Sequence, residues 1–229
     1  MRAAEAGRVA RHAVYWVPAA QHPLWSAGCA WLGRDPSSHE APAPPPHRSS
    51  PWRYGFHATV KAPMVLATDV EAFEAELAAI ARAHAPVPLP AFEVTWFRRF
   101  LALCPVTDLP APFKALAACC VERLDAFRAP PDAAERARRI AGLDAGAVRR
   151  YDRWGYPHVF DHWRMHLTLS DTAERPAWGE ALAAEAQAHF AEALARPMGA
   201  GELAWFIEPE AGAPFQLVRR FALGAGSPY

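Results

Sequence analysis

Hydrophobic and polar residues alternate one by one in several short stretches of this chain, a pattern typical of half-buried β-strands. The first of these stretches is also rich in aromatic and β-branched residues, which favour strands. The predicted strands cover residues 12–18, 55–62, 92–97, 99–106, 165–170, 202–207 and 215–223. The last two flank a turn that contains proline and glycine, so they are predicted to form a hairpin.

Apolar residues recur at helical spacing in four longer segments. The predicted helices cover residues 24–32, 70–84, 113–127 and 178–195. The arginine-rich segment 130–155 also has a helical pattern, with breaks near Gly142 and Gly146, and its charges indicate a solvated face. Residues 41–51 are rich in proline and predict a loop, because proline lacks the backbone donor that helices and central strands need.

Strands and helices alternate without the glycine-rich turns of nucleotide-binding folds, and neither GxGxxG nor a Walker phosphate-binding loop is present. The order strand, helix, two strands occurs twice, which fits two facing lobes of similar topology. We therefore predict a single α+β domain with antiparallel or mixed sheets flanked by helices. The lobes are expected at roughly residues 1–128 and 150–229, with 129–149 as a helical connection.

Composition excludes several classes of protein. The 229 residues carry 24 Lys and Arg against 24 Asp and Glu, so the basic excess of a duplex-DNA binder is missing. No stretch resembles a signal peptide or approaches the length of a membrane span. The four cysteines lack Cys-x-x-Cys spacing, which indicates reduced, buried thiols. We expect a cytoplasmic protein with no duplex-DNA or membrane partner.

The candidate chemistry lies in two His-x-Thr-hydrophobic motifs, which begin at His57 and His166. Chance alone would supply well under one such motif in a chain of this composition. Alternate side chains of a strand share a face, so His57, Thr59 and Lys61 are predicted to line up. In the second motif the predicted row is Arg164, His166, Thr168 and Ser170. Each strand would thus present an imidazole, a hydroxyl and a cation.

Two such rows facing one groove would suit acid–base cleavage of a phosphoester. One histidine can be neutral and the other protonated near neutral pH, so one can accept a proton from the attacking oxygen while the other protonates the departing oxygen. The threonine hydroxyls, with Lys61 or Arg164, can bind the non-bridging oxygens as charge shifts. No metal or other cofactor is required for this chemistry.

The paired motifs, about a hundred residues apart, resemble the 2H phosphoesterase superfamily. The segment 53–63, RYGFHATVKAP, resembles a group within it that is named for bacterial phosphonate-utilisation operons. Further matching stretches are 23–33, 100–103 and 154–157. The sequence departs from that group at Met165, where an aromatic residue is usual, and at Ser170, where glycine is frequent.

The resemblance implies a two-lobed α+β fold with both histidines at a central cleft, acting on cyclic phosphates or RNA 2′,5′ linkages. It makes His57 and His166 the acid–base pair and Thr59 and Thr168 the phosphate ligands. Further substrate-binding residues implied in the first motif are Lys61, Tyr54 and Arg53. The expected activity is a metal-independent opening of a cyclic phosphate. The expected substrates are a ribose 1,2-cyclic phosphate of phosphonate breakdown, a 2′,3′-cyclic nucleotide or an RNA end.

Several alternatives stay open from the sequence. The fold could serve as a catalytically silent module that binds cyclic nucleotides or RNA ends, with bases stacked on Trp16, Trp52, Tyr54, Trp154 or Tyr156. An RNA ligase would run the same phosphodiester chemistry in reverse. His158, His162 and His166 have zinc-like spacing only if they share a helix, and the predicted strand argues against this. The sequence does not assign the base, the oligomeric state or a lid role for 41–51.

Overall fold

The computed structural model describes residues 10–174 and 176–224, and it is an α+β structure in which antiparallel sheets are covered by helices. The strands are β1 (Arg11–Trp16), β2 (Ala58–Met64), β3 (Val87–Leu89), β4 (Phe92–Phe97), β5 (Phe100–Pro105), β6 (Leu167–Thr168), β7 (Met198–Ala200), β8 (Glu202–Glu208) and β9 (Gln216–Ala222). The helices are α1 (Pro23–Leu32), α2 (Ser49–Tyr54), α3 (Val70–Ala83), α4 (Ala111–Leu124), α5 (Ala133–Ile140), α6 (Ala145–Trp154) and α7 (Gly179–Leu194).

Two sheets carry the two sequence motifs. The first sheet has the order β2-β1-β8-β9, and the second has the order β4-β5-β6. A short pair, β3 with β7, forms a third sheet. Every strand pairing in the described residues is antiparallel. The motif of His57 therefore enters the first sheet through β2, and the motif of His166 enters the second through β6. The predicted α+β class is confirmed.

Each of the two larger sheets takes strands from both halves of the chain. Strands β1 and β2 pair within one sheet with β8 and β9, while β4 and β5 pair with β6. The predicted lobes at 1–128 and 150–229 therefore do not correspond to the sheets. The reason is that the two strands that follow each motif pair with the sheet of the other motif. The connection 129–149 contains all of α5 and the beginning of α6.

The first sheet has a core on each of its faces. On β1, Val14 and Trp16 belong to the main core, which also contains side chains of α1, α3, α4, α7 and the second sheet. Ala13 and Tyr15 face the other way, into a smaller apolar cluster with Phe206 of β8. This alternation follows from the pleat of a strand. The smaller cluster lies beneath the candidate site.

Several element boundaries differ from the prediction. The predicted loop 41–51 ends in a helix, because Pro51 lies in the first turn of α2, where a missing backbone donor costs little. The strand predicted over 55–62 begins only at Ala58, since Gly55 has φ +78° and ends α2. The strand predicted over 165–170 is reduced to the two residues of β6. Strands β3 and β7, three residues each, were not predicted.

All four cysteines lie in the described residues and are unpaired. Burial raises the pKa of the Cys29 thiol to about 12 and that of Cys104 to about 11, so these thiols stay protonated. Among the described helices, none has the length and apolar character needed to cross a bilayer.

Candidate active site

The two motifs meet at one cavity of about 470 Å³. Its lining includes His57 and Thr59 from the first motif and His166 and Thr168 from the second. The structure thus brings the histidine and the threonine of each motif to a common cavity. Ser170 also lines the cavity, but its Oγ is already used, accepting from the amide of Leu101 and donating to the carbonyl of Asp171.

His57 is held between a backbone carbonyl and a hydroxyl. Its Nδ1 lies 2.8 Å from the carbonyl oxygen of Gly55, and its Nε2 lies 3.2 Å from Oγ1 of Thr59. A carbonyl only accepts hydrogen bonds, so Nδ1 carries the proton and Nε2 is left as an acceptor in the neutral ring. The turn at Gly55, whose φ of +78° favours glycine, places this carbonyl below the ring.

Burial makes His57 a weak acceptor of a second proton. The pKa of His57 is lowered to about 4, mainly by desolvation and further by the positive charge of a protonated His166, while the Gly55 hydrogen bond acts in the opposite direction. The ring of Tyr15 packs on the imidazole with centroids 3.8 Å apart. His57 is therefore neutral at physiological pH.

His166 repeats the arrangement of His57. Its Nδ1 lies 2.8 Å from the carbonyl oxygen of Arg164, two residues earlier in the chain, as Gly55 is for His57. Its ring stacks against Phe97 at 4.7 Å and lies 5.4 Å from Phe100. The pKa of His166 is lowered by burial and by the nearby charges of Arg98 and His158.

Two tryptophan indoles fix the backbone beside the two motifs. Nε1 of Trp163 donates to the carbonyl of Thr59 at 2.8 Å, and Nε1 of Trp31 donates to the carbonyl of Leu169 at 2.8 Å. Trp163 precedes the second motif in the chain but binds the first. Each motif strand thus has one backbone carbonyl bound by a side chain from a distant part of the sequence.

A carboxylate links the end of the second motif to the start of the first. Asp171 accepts hydrogen bonds from the amides of Ser49 at 3.1 Å and Ser50 at 2.6 Å, at the beginning of α2. Helix α2 then leads directly into Gly55 and His57. Of the loop 41–51, Ser50 and Pro51 line the cavity, and the amide of Asp171 donates to the carbonyl of His47.

The structure does not place Lys61 in the cavity. The register of β1 with β2 shifts between the pairs Tyr15–Thr59 and Val14–Lys61, which is the signature of a β-bulge. The extra residue reverses the alternation, so Lys61 points into the protein with 3% exposure. Its Nζ donates to the carbonyl of Val121 at 3.1 Å and to the carboxylate of Asp125 at 3.0 Å. The predicted contact of Lys61 with substrate is wrong for this geometry.

Of the other three predicted substrate-binding residues, one lines the cavity and two do not. Tyr54 lines the cavity. The guanidinium of Arg53 forms an ion pair with Glu208 and does not line it. Arg164 donates to the carbonyls of Asp161 and Trp163 and lines a separate cavity. The prediction that Arg164 supplies a cation to the site is therefore wrong. The strand contains only two residues, and Arg164 lies before it, where side chains no longer alternate between the two faces of a sheet.

The cavity residues that were not predicted from the sequence include Arg11 and Tyr15. Arg11, Ala13 and Tyr15 share one face of β1. If the predicted strand had begun one residue earlier, its alternation would have placed Arg11 and Tyr15 on the same face. Among the five aromatic residues considered for base stacking, Tyr54 and Tyr156 line the cavity, whereas Trp16 is buried in the main core. Within residues 10–174 and 176–224, no three His, Cys, Asp or Glu side chains are grouped as metal ligands.

A sequence model of the family described as "Protein of unknown function (DUF1045)" matches residues 59–216. The chain belongs to this family. The matched region contains Thr59 and the whole second motif, and it begins two residues after His57. The matched region covers β3 to β8 and all of β2 except Ala58, whereas β1 and all but the first residue of β9 lie outside it, and the family description assigns no activity.

Two curated relatives carry the name ribose 1,5-bisphosphate phosphokinase PhnN. The protein of Laribacter hongkongensis (strain HLHK9) is 38% identical over 232 residues, 95% of this chain and 53% of that protein. The protein of Janthinobacterium sp. (strain Marseille) is 36% identical over 225 residues, 90% of this chain and 49% of that protein. The chain thus spans about half the length of the curated relatives it matches.

Solved structures that the chain matches over most of its length include LigT of E. coli, a structure described as a phosphoesterase and Usb1. LigT of E. coli in complex with 3′-AMP has a TM-score of 0.44 and 14% identity, covering 93% of this chain and 98% of LigT. A structure described as a phosphoesterase has a TM-score of 0.45, 12% identity and coverage of 94% and 98%. Usb1 of Kluyveromyces marxianus has a TM-score of 0.35, 11% identity and coverage of 92% and 98%. At these scores the likeness carries no conclusion about the site.

Proposed function

We propose that the protein is a phosphodiesterase that opens a cyclic phosphate by hydrolysis, with His57 as general base and His166 as general acid. One observation carries the proposal. Two histidines, each directly before a strand of a different sheet, line one cavity, and each uses Nδ1 on a carbonyl two residues back, which leaves both Nε2 atoms for proton transfer. A structural histidine has no need of a matched partner across a cavity.

In the proposed reaction one imidazole accepts a proton and the other donates one. Nε2 of neutral His57 accepts a proton from a water molecule as its oxygen bonds to phosphorus. The bond from phosphorus to one ring oxygen breaks, and that oxygen takes a proton from Nε2 of protonated His166. The products are a phosphate monoester and a free hydroxyl, and a proton has passed from His166 to His57. Exchange with solvent restores the starting state.

The assignment of the base rests on burial. His57 has its pKa lowered to about 4 and is neutral at pH 7, which is the form a base requires. Part of that lowering comes from the charge of His166, so the pair favours one proton rather than two. A phosphate anion bound between the rings would draw this proton to His166 and raise its pKa.

The threonines supply hydroxyls for the non-bridging oxygens. Thr59 and Thr168 both line the cavity, and Oγ1 of Thr59 lies 3.2 Å from Nε2 of His57, beside the position where the reacting phosphorus would bind. Hydrogen bonds to an anionic oxygen are about twice as strong as neutral ones. We assign both threonines to charge stabilisation in the transition state.

We further propose a ribosyl cyclic phosphate as the substrate class, with 2′,3′-cyclic nucleotides as the second choice. The cavity volume of about 470 Å³ accommodates a whole small molecule. The curated relatives are named for a phosphorylated ribose. Since this chain matches about half of their length, the name supports the chemical class of the ligand and leaves the kinase reaction aside.

The test is turnover of a substrate panel followed by phosphorus NMR in the presence of EDTA. The panel contains a ribose 1,2-cyclic phosphate, 2′,3′-cyclic nucleotides and short 2′,5′-linked oligonucleotides. The enzyme is compared with His57→Ala, His166→Ala and the control His39→Ala, which changes an exposed histidine outside the cavity. We expect cleavage that survives EDTA, is lost in both cavity variants and is unchanged in the control.

Other outcomes would replace the proposal. Tight binding of these compounds by wild type without any turnover would favour a silent binding module. Joining of RNA ends under the same conditions would favour the ligase reaction. Activity lost with EDTA and restored by a divalent metal would overturn the metal-independent mechanism.

A further inference from the structure

The cavity continues well beyond the two histidines. Thr59 and residues 62–64 of β2, and Val65 just after the strand, line the cavity, so the cavity follows β2 away from the first motif. On the neighbouring strand β1, Tyr15 pairs with Thr59 at the histidine end, and Arg11 lies four residues further along the cavity. Four residues of strand span about 13 Å. A reacting cyclic phosphate at the histidines would leave this far part of the cavity for the rest of the substrate.

Arg11 is partly exposed at the far part of the cavity and belongs to a cationic cluster. Its side chain is 16% exposed, and its Nε forms an ion pair with Glu208, which is fully buried. Glu208 also pairs with Arg53 and accepts from the amide of Gly212 at 3.0 Å. Two guanidinium groups thus share one carboxylate, and the cluster keeps a net positive charge.

The guanidinium of Arg11 retains donors for a ligand. A guanidinium has five N–H donors, and Nε is the Arg11 atom that the contacts among the described residues engage. The Nη pair therefore has the fork geometry that binds phosphate oxygens in bidentate fashion. Arg53 shares the same carboxylate but does not line the cavity, so Arg11 is the member of the cluster placed to meet a ligand.

A series of ring contacts connects Arg11 to the histidine end of the cavity. The Cζ atom of Arg11 lies 5.7 Å from the ring centroid of Phe215. Phe215 in turn lies 6.3 Å from the ring of Tyr15, which packs on His57. Arg11 and the imidazole of His57 are therefore connected through two rings of the smaller apolar cluster, and both residues line the same cavity.

A second arginine, from helix α5, also lines the cavity. Arg139 of α5 lines the cavity together with Glu135. The carboxylate of Glu135 lies 3.7 Å from Arg139 and 4.0 Å from Arg138, so its charge is balanced on its own helix. Glu135 also acts electrostatically on Arg11 and helps to raise its pKa, but the arginines of this group, Arg11, Arg53, Arg138 and Arg139, outnumber its two carboxylates, Glu135 and Glu208, so its net charge is positive.

We propose that Arg11 binds a second anionic group, a phosphate, carried by the same substrate molecule whose cyclic phosphate lies between His57 and His166. The inference rests on the proposed function for the position of the reacting phosphate. It narrows the substrate class to sugar or nucleoside cyclic phosphates that bear a further phosphate on the sugar. Arg11 acts here as a specificity-determining residue.

The test compares ribose 1,2-cyclic phosphate with and without a 5-phosphate. We expect wild type to have a higher kcat/KM for the compound with the 5-phosphate, by roughly 10- to 100-fold, as a charge-assisted hydrogen-bond pair would supply. Arg11→Gln should remove this preference and leave kcat/KM for the plain compound nearly unchanged. Arg11→Lys should keep part of it. Arg219→Gln, at an arginine paired with Glu74 away from the cavity, is the control.

Each result decides one of the two proposals. Equal kcat/KM for both compounds in wild type, or an equal loss for both in Arg11→Gln, would overturn the second phosphate site while leaving the cyclic phosphodiesterase intact. Turnover of neither compound would count against the proposed function. In that case calorimetric binding of ribose 5-phosphate and of ribose, to wild type and Arg11→Gln, still tests the site. Arg11-dependent binding of the phosphorylated sugar supports it, and equally weak binding of both overturns it.

Discussion

The phenol ring of Tyr15 on β1 packs on the imidazole of His57, which directly precedes the neighbouring strand β2, with centroids 3.8 Å apart. Tyr15 is fully buried, and its hydroxyl has no hydrogen-bond partner within the described residues. The ring excludes water from one side of the imidazole. The interaction therefore helps to keep His57 neutral, as the proposed base must be.

Replacing Tyr15 separates the role of its ring from that of its hydroxyl. Tyr15→Phe keeps the ring and removes a buried, unpartnered hydroxyl, so we expect unchanged or higher stability and a His57 pKa still near 4. Tyr15→Ala should lower the free energy of unfolding by about 3–5 kcal/mol and raise the His57 pKa toward its usual value. NMR titration of the imidazole and denaturant unfolding measure both. A His57 pKa that does not move in Tyr15→Ala would refute this role.

The lowered pKa of His57 also predicts a pH dependence of stability. In the native protein the pKa of His57 is about 4, below the usual histidine value of 6.5, so the unfolded chain binds more protons between these two pH values. Stability from this group is fully present above about pH 6.5 and is lost as the pH falls toward 4. The free energy involved is at most about 3 kcal/mol.

Unfolding measured from pH 4 to pH 7 in wild type and His57→Gln isolates this contribution. The rise in unfolding free energy with pH should be shallower in His57→Gln, and His39→Gln should keep the wild-type slope. Parallel curves for wild type and His57→Gln would show that the native imidazole titrates normally.

Lys61 offers a test of the β-bulge. Its Nζ binds Asp125, which keeps Arg128 and Arg153 as further partners. Lys61→Met should lower the free energy of unfolding by about 1–3 kcal/mol through the loss of buried hydrogen bonds, while kcat/KM stays unchanged. Thr59→Val, two residues away and inside the cavity, should lower kcat/KM by about 10- to 100-fold. A comparable loss of kcat/KM in Lys61→Met would place the lysine back in the site.

Gly28 leaves the space that is occupied by the ring of Phe56, the residue before His57. A Cβ built on Gly28 of α1 would fall within the ring of Phe56, which is fully buried and aromatic, so it cannot move aside easily. Gly28→Ala should therefore destabilise the protein by about 1–3 kcal/mol, although alanine normally favours a helix. Gly201→Ala is the matched control, because its Cβ would meet open space. Thermal unfolding of both variants decides the point, and equal stabilities would contradict it.

Local pattern was sufficient to predict most elements and the two histidines. The long helices α3 and α7 and the hairpin of β8 and β9 follow from periodicity that the core enforces, since their apolar faces are buried. His57, Thr59, His166 and Thr168 were found because each pair is two residues apart, a spacing that survives any error in strand boundaries.

What the sequence did not reveal depends on contacts between distant residues. The bulge that turns Lys61 inward is a feature of pairing between β1 and β2, and alternation within β2 alone gives the wrong face. The pairing of β1 with β8 likewise leaves no mark in the sequence near either strand. The sequence analysis therefore predicts two lobes that each consist of one continuous part of the chain. Arg11 was missed for a simpler reason, since the predicted strand began one residue too late.

Each of the two larger sheets combines strands that lie far apart in the chain. This has a consequence for synthesis of the protein on the ribosome. Arg11 and Glu208 pair in adjacent strands although 197 positions separate them in the chain. While the nascent chain grows, β1 and β2 exist with an open edge that β8 has yet to cover, and such edges invite pairing with other chains. Contacts this distant also slow folding. The newly made protein therefore passes through a period of vulnerability to aggregation that lasts until nearly all of these strands have emerged.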